Sequence, residues 1–200
     1  MIAIVKYNAG NIQSVLYALE RLGVEAVWTD DPEQLMQAEK VIFPGVGEAS
    51  SAMAHLKASG LAEVLPRLTQ PVLGICLGLQ LFCRHSAEND TPCLGVFDVD
   101  VLKFEPNPAA PKVPHMGWNT ISDLKGPLFN GIPEDSYCYF VHSYYAGYCN
   151  NVAATCDYGL PFSAALQQDN FYAVQFHPEK SGSTGLRILR NFLDIEDGKR

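Results

Sequence analysis

Basic residues are few in this 200-residue sequence: 14 lysines and arginines stand against 22 aspartates and glutamates, for a formal net charge of −8 at pH 7. Proteins that bind nucleic acids or anionic membranes present basic surfaces, so this composition disfavours both. The amino-terminal residues are apolar and lack a positively charged segment, so we expect no signal peptide. Residues 136–156 contain no Asp, Glu, Lys or Arg, but they are rich in tyrosine, asparagine and serine and predict no membrane span.

Cysteine pairs of the CxxC type are also absent. The six cysteines follow one another at separations of 7, 10, 45, 11 and 7 residues, which is not the spacing of a zinc site. Without a secretion signal, a disulfide framework is not expected. We therefore expect reduced thiols, a cytoplasmic protein and no bound metal. The length suits a single domain over residues 1–200.

Two kinds of hydrophobic pattern divide the sequence near residue 85. Before it, four apolar runs alternate with segments of helical spacing, which predicts an α/β fold with a mostly parallel central sheet and helices on both faces. After it, strand-like runs dominate and predict a β-rich second half that ends in an amphipathic helix. The predicted strands are residues 2–7, 24–28, 40–43, 72–75, 96–104, 118–121, 137–141, 152–156, 162–167 and 171–176. The predicted helices are residues 12–22, a short helix capped by Asp31, and residues 48–58. A further helix has residues 77–83 as its first part and includes His85, and a last helix contains Leu186, Leu189 and Leu193.

The segment Gly74-Ile75-Cys76-Leu77-Gly78 joins a predicted strand directly to a predicted helix. This is the pattern of a nucleophile elbow with cysteine in place of serine. The glycines permit a sharp turn, and the start of the helix places backbone N–H groups near the sulfur. The same five residues also suit a buried cysteine in an ordinary strand–helix turn, so this segment alone leaves both interpretations open.

A cysteine nucleophile requires a base, and five histidines are available. His177 leaves the end of a predicted strand, where functional residues of α/β proteins gather. Glu179 lies two residues further on and can orient the imidazole within the same turn. A solvated loop histidine beside a loop glutamate is the alternative for this pair, but the strand–Cys and strand–His-x-Glu motifs together favour catalysis.

Residues 74–80, Gly-Ile-Cys-Leu-Gly-Leu-Gln, and residues 175–181, Gln-Phe-His-Pro-Glu-Lys-Ser, resemble the two signatures of class I glutamine amidotransferases. Pro-Gly-Val-Gly at 44–47 is similar to the oxyanion loop of that family. Val-Pro-His-Met-Gly-Trp-Asn at 113–119 and Tyr-Phe-Val-His-Ser-Tyr-Tyr at 139–145 resemble the glutaminase subunits of imidazole glycerol phosphate synthase in particular. The resemblance spans the whole chain and implies the flavodoxin-like fold of class I glutamine amidotransferases.

The resemblance also implies a role for each matching position. Cys76 is similar to the nucleophile, His177 to the general base and acid, and Glu179 to the carboxylate that orients the histidine. The oxyanion hole would consist of the backbone N–H groups of Val46 and Leu77. The glutamine head group would be held by Gly47, Gln80, Glu88 and the backbone of Ser143 and Tyr144. The partner surface would include Asn11, Trp118 and Lys180.

From the residues alone, two of these positions have a simpler interpretation. Glu88 also suits a solvated loop charge, and Gln80 also suits a helix-surface residue. His55 and His85 have no partner pattern and are interpreted as structural. Cys83 has no glycine elbow beside it, so we expect it to be a packing residue.

The implied reaction is hydrolysis of L-glutamine to glutamate and ammonia through a cysteinyl thioester, without a metal or organic cofactor. The resemblance implies a heterodimer in which ammonia passes to a (β/α)₈-barrel cyclase subunit. That subunit would make imidazole glycerol phosphate and aminoimidazole carboxamide ribotide in histidine biosynthesis.

Three alternatives are open at this point. Small glutaminase subunits of the chorismate group carry His before the glutamine, where this chain has Leu79, and those of the pyridoxal phosphate group carry Pro-Gly-Gly-Glu-Ser at the oxyanion loop. Cysteine hydrolases and stress proteins with the same sheet lack His-Pro-Glu after a late strand. A catalytically inactive binding subunit would not need the intact Cys76, His177 and Glu179.

Overall fold

The computed structural model describes residues 1–8, 12–110 and 112–196. The strands are β1 (Ile2–Val5), β2 (Ala26–Thr29), β3 (Lys40–Gly45), β4 (Val72–Cys76), β5 (Cys83–Ser86), β6 (Thr91–Pro92), β7 (Phe97–Lys103), β8 (His115–Ile121), β9 (Ser136–His142), β10 (Tyr144–Ala146), β11 (Val152–Asp157), β12 (Pro161–Gln168) and β13 (Phe171–Val174). The α-helices are α1 (Gln13–Arg21), α2 (Pro32–Gln37), α3 (Ala49–Ala58), α4 (Leu61–Val64), α5 (Leu77–Phe82) and α6 (Gly182–Leu193). Within the described ranges, none of the helices is long and apolar enough to cross a membrane.

A seven-stranded sheet in the order β11-β12-β13-β4-β3-β1-β2 forms the centre of the molecule. The five strands from β13 to β2 are parallel, and β12 and β11 extend the sheet in antiparallel fashion. Apolar side chains cover both faces: in β1, Ile2 and Ile4 pack on one side and Ala3 and Val5 on the other. Burial of both faces is what a parallel sheet with crossover helices requires. The predicted fold class is confirmed.

Local sequence signals account for the ends of the early helices. Gly23, just after α1, has a φ of +72°, the left-handed conformation that glycine adopts without strain. The Asp31 carboxylate accepts a hydrogen bond from the backbone N–H of Glu33 at 2.9 Å and caps α2, whose first residue is Pro32. At the opposite end of the chain, α6 packs its apolar face against the central sheet and buries Ile188 there.

The second half is richer in strands than the sequence predicted, and its strands divide among three sheets. A four-stranded sheet has the order β10-β7-β5-β6, and β8 and β9 form an antiparallel ribbon. The helix that begins at Leu77 ends at Phe82, so the prediction of His85 on a helix is wrong. His85 lies in β5, because Cys83–Ser86 pairs with β6 and β7 and this tertiary pairing overrides the local helical spacing.

Candidate active site

The register of three neighbouring parallel strands brings the sequence-predicted motifs together. Gly45, the last residue of β3, lies opposite Cys76, and Ile75 of β4 lies opposite Val174 of β13. The loop after β3 and the segment after β13 therefore leave the sheet on either side of Cys76. This carboxyl edge is where ligands bind in open α/β sheets.

Cys76 has the strained backbone of a nucleophile elbow. Its φ is +55° and its ψ is −107°, a conformation that few residues other than glycine adopt. The flanking glycines are required by close packing: a Cβ on Gly78 would overlap the carbonyl oxygen of Phe43, and a Cβ on Gly74 would lie 2.9 Å from the Phe82 ring. The sharp turn therefore depends on the absence of side chains two residues before and two residues after Cys76, and it leaves Cys76 6% exposed at a cavity.

His177 and Glu179 form a buried pair beside Cys76. The imidazole Nδ1 and the carboxylate Oε1 are 2.7 Å apart, and the two side chains are 3% and 4% exposed. The backbone of His177 is also fixed, because its N–H donates to the carbonyl of Tyr139 at 2.9 Å and its carbonyl accepts from the Ser181 hydroxyl at 2.6 Å. Sequence reasoning gave Ser181 no role, although it lies within the second motif.

Two neighbours control the protonation of His177. Burial alone would lower its pKa, but hydrogen bonding and charge from Cys76 and Glu179 outweigh burial and raise the pKa. The Nε2 atom is buried without a partner at regular hydrogen-bond geometry in the described part of the chain, and Cys76 is the neighbour that acts on the ring together with Glu179. With Nδ1 held by Glu179, Nε2 is the nitrogen left for proton transfer.

A cavity of about 410 Å³ opens beside the cysteine. Its walls contain the elbow, the loop after β3, Glu88 and the segment between β9 and β10. All five positions predicted to hold the glutamine head group line it, as do the two positions predicted to form the oxyanion hole. The lining residues are Val46, Gly47, Cys76, Leu77, Gln80, Glu88, Pro114, Val141, His142, Ser143 and Tyr144.

The structure decides against the simpler interpretations of Gln80 and Glu88. Gln80 is 4% exposed, and its amide donates to the carbonyl of Tyr144 at 2.9 Å, so it is not a helix-surface residue. The Glu88 carboxylate accepts from the backbone N–H of Ala49 at 2.8 Å, which ties the loop to the start of α3. Partial burial raises the pKa of Glu88, against the effect of the Ala49 hydrogen bond, and the nearby Glu48 raises it further.

Two of the three residues predicted for a partner surface lie in the described part of the chain, and both are exposed. Trp118 of β8 is 56% exposed, and a Cβ at Gly182 would lie 4.0 Å from its ring. Lys180 is exposed and lies two residues before that glycine in the chain. Asn11 lies outside the described residues.

Sequence reasoning also gave no role to Gln175, which is fully buried and donates from Nε2 to the Cys76 sulfur at 3.7 Å. Its place directly before Phe-His-Pro-Glu was visible, but only the strand register shows that it adjoins the cysteine. Cys83, by contrast, is buried away from the cavity, and burial raises the pKa of its thiol well above the usual range.

Comparison with known proteins agrees with this geometry. Residues 3–195 match the model of the family described as glutamine amidotransferase class-I. Curated relatives named imidazole glycerol phosphate synthase subunit HisH include one from Bacteroides thetaiotaomicron, 63% identical over 97% of this chain and 99% of the relative. Another, from Bacteroides fragilis, is 61% identical over 97% of this chain and 99% of the relative. A crystal structure of a glutamine amidotransferase superposes with a TM-score of 0.74 at 20% identity, covering 96% of this chain and 97% of that one.

The chain therefore belongs to the class-I glutamine amidotransferase family and, within it, to the group of proteins named imidazole glycerol phosphate synthase subunit HisH. The resemblance identified from the sequence motifs is confirmed. The superposed crystal structure, at its low identity, independently supports the fold.

Proposed function

We propose that this protein is the glutaminase subunit of imidazole glycerol phosphate synthase and hydrolyses L-glutamine to glutamate and ammonia. The observation that supports this most directly is the strained Cys76 elbow at the wall of a cavity, beside the buried His177–Glu179 pair at 2.7 Å. A nucleophile, a base and an orienting carboxylate are the parts that acyl transfer requires.

In the first half-reaction, Cys76 gives its proton to Nε2 of His177, and the thiolate attacks the side-chain amide carbon of glutamine. The tetrahedral intermediate collapses as His177 transfers that proton to the departing nitrogen, which leaves as ammonia. A γ-glutamyl thioester remains on Cys76. In the second half-reaction, His177 removes a proton from water, the resulting hydroxide attacks the thioester carbon, and glutamate leaves as the thiol is restored.

Two backbone N–H groups would stabilise the negative oxygen of each tetrahedral intermediate. Leu77 follows the nucleophile directly at the start of α5, and Val46 follows Gly45, the residue paired with Cys76 in the sheet. Both residues line the cavity. When such backbone donors are directed at the oxygen, each contributes about 10²–10³ in rate.

The rest of the cavity would hold the glutamine head group. Glu88 offers a carboxylate to the α-ammonium group, and its attachment to Ala49 keeps it at the cavity wall. Gly47, Gln80 and the backbone of Ser143 and Tyr144 supply the remaining polar surface. No metal or organic cofactor takes part in this scheme, because each step uses a side chain or backbone group of the chain itself.

We propose a heterodimer with a (β/α)₈-barrel cyclase subunit that receives the ammonia and makes imidazole glycerol phosphate and aminoimidazole carboxamide ribotide. An exposed apolar patch supports docking on the β8–β9 ribbon: Met116, Trp118 and Tyr137 are 62%, 56% and 61% exposed. Aromatic residues and methionine are favoured at such interfaces. We propose Lys180 and Asn11 as further contacts with the partner.

We also propose that the whole chain, residues 1–200, acts as one amidotransferase domain. The names of its relatives place them in a biosynthetic enzyme. On that ground we propose that it works in the cytoplasm.

The test replaces Cys76 by alanine in the complex with a cyclase subunit. We expect glutamine-dependent synthesis of imidazole glycerol phosphate to stop and ammonia-dependent synthesis to continue, because only the glutamine half-reaction uses the thiol. Cys83→Ser is the matched control, and it should keep both activities. Loss of both activities from an assembled Cys76→Ala complex would contradict the division of labour. Retention of both would exclude Cys76 as the nucleophile.

A further inference from the structure

A glutamine side chain that the mechanism above does not use adjoins the nucleophile. Gln175 follows the last residue of β13, and the pairing of Val174 with Ile75 places it beside Cys76. It has no exposed surface, and its amide Nε2 lies 3.7 Å from the cysteine sulfur, within the range of a hydrogen bond to sulfur. The large majority of polar side chains buried at this depth are hydrogen-bonded.

The hydrogen-bond network fixes which end of the Gln175 amide faces the sulfur. Gln80 donates one amide hydrogen to the carbonyl of Tyr144 at 2.9 Å and the other to Oε1 of Gln175 at 3.1 Å. Since both hydrogens of Gln80 are directed to acceptors, the carbonyl end of Gln175 must face Gln80. Its NH₂ group is then directed at Cys76, and a rotation of the amide by 180° would oppose two NH₂ groups.

The carbonyl of Tyr144 is itself held in place by a second donor. His142 Nδ1 lies 2.7 Å from this oxygen, and His142 Nε2 lies 2.9 Å from Nδ1 of His115. A carbonyl accepts but does not donate, so His142 carries its hydrogen on Nδ1 and accepts from His115 at Nε2. The network that orients Gln175 is thus anchored in the buried start of the β8–β9 ribbon.

We propose that Gln175 is a fourth side chain of the catalytic centre, whose amide donates a hydrogen bond to the Cys76 sulfur and stabilises the thiolate in position for attack. Gln80 is the positioning residue that orients it. This inference rests on the proposed glutaminase function. A neutral donor suits the task, because it favours the thiolate without supplying a charge that would hold the sulfur back from attack.

The test measures the thiol directly. Gln175→Met keeps the length of the side chain and removes the donor, and Gln175→Glu keeps the shape and places an acceptor against the sulfur. The rate of Cys76 alkylation by iodoacetamide is followed against pH by mass spectrometry of the Cys76 peptide. We expect the pH midpoint of alkylation to rise by about one unit in Gln175→Met, the order expected for one hydrogen bond to a charged group, and by more in Gln175→Glu.

Glutaminase kinetics of the cyclase complex give the second readout. We expect kcat at pH 7 to fall about tenfold in Gln175→Met, with KM for glutamine changed less than about twofold, because the bond acts on the nucleophile and not on substrate binding. Gln70 is the matched control. It lies just before β4 begins, at the opposite end of that strand from Cys76, and it is also buried but donates to the Leu35 carbonyl. Gln70→Met should leave the alkylation midpoint unchanged, whatever it does to the melting temperature.

A third measurement needs no substitution of Gln175. In ¹⁵N-labelled protein, the side-chain amide resonance of Gln175 should titrate with the deprotonation of Cys76, and the titration should vanish in Cys76→Ala. A folded Gln175→Met variant with an unchanged midpoint, or a Gln175 amide that does not respond to the thiol, would overturn the proposal and leave Gln175 a packing residue. A wild-type complex that fails to hydrolyse glutamine would overturn the proposed function instead, since alkylation and resonance measurements do not depend on turnover.

Discussion

The buried histidine pair makes the free energy of unfolding depend on pH, and the size of the effect can be calculated. His115 and His142 are 3% and 5% exposed and are hydrogen-bonded to each other through Nδ1 and Nε2, 2.9 Å apart. Burial lowers the pKa of His115 to about 4. Burial also lowers the pKa of His142 to about 3, against a hydrogen bond to Tyr144 that raises it and with the neighbouring histidines lowering it further. Both rings are therefore neutral in the folded protein at pH 5.5.

The sign follows from proton linkage. The unfolded chain binds protons on these histidines near pH 6.5, whereas the folded protein does not, so the free energy of unfolding must fall as the pH decreases. For each ring the loss is roughly 0.2 kcal/mol at pH 7 and roughly 1.4 kcal/mol at pH 5.5. The pair therefore costs about 2.5 kcal/mol of stability between these two pH values.

His177 contributes with the opposite sign, because its pKa is raised. Its stabilisation is complete below the ordinary histidine pKa near 6.5 and is lost as the pH increases through the folded-state pKa. A comparison of variants that all keep His177 cancels this contribution. The pH window from 7 to 5.5 also lies above the usual range of most carboxylates.

The assay is urea unfolding at pH 7 and pH 5.5. We expect the loss of stability on acidification to be smaller by about 1.2 kcal/mol in His115→Gln than in wild type, because one of the two lowered pKa values has been removed. His55→Gln, on α3 and outside the pair, should keep the full loss. An equal loss in wild type and His115→Gln would refute the reasoning, whatever the absolute stability of the variant.

Two further predictions concern catalysis. Glu179→Gln should lower kcat roughly 10–100-fold without abolishing turnover, because it removes a charged partner 2.7 Å from His177 but leaves a group that accepts from Nδ1; steady-state kinetics check this, and an unchanged rate would return Glu179 to a structural charge. The lone chain should be a poor glutaminase that the cyclase and its ligand activate about a hundredfold, an effect that needs a bias of only ~3 kcal/mol between two states of the Val46 loop. Gly47 has a φ of +109° and open space around it, so the peptide beside Val46 can reorient. Equal kcat for the lone chain, the complex and the liganded complex would exclude such a switch.

Part of the molecule is determined by local chemistry that the sequence displays. The cap at Asp31, the stop at Gly23 and the apolar runs of the parallel strands depend on neighbouring residues, so their patterns predicted the correct elements. The elbow at Cys76 was visible for the same reason, since glycines on either side of a nucleophile have a specific steric purpose. Glu179 lies within one turn of His177, and that pairing also needs no distant residue.

Contacts between segments far apart in the chain could be identified only from the tertiary structure. His85 lies in a strand because β6 and β7 pair with it, although its own neighbours suggest a helix. Gln80 is buried because Tyr144 and Gln175, 64 and 95 residues away in the chain, accept its two amide hydrogens. Periodicity reports only which face of an element is apolar. The identity of the group opposite a buried polar atom depends on strand register and on how the sheets pack, and these are decided when the whole chain folds.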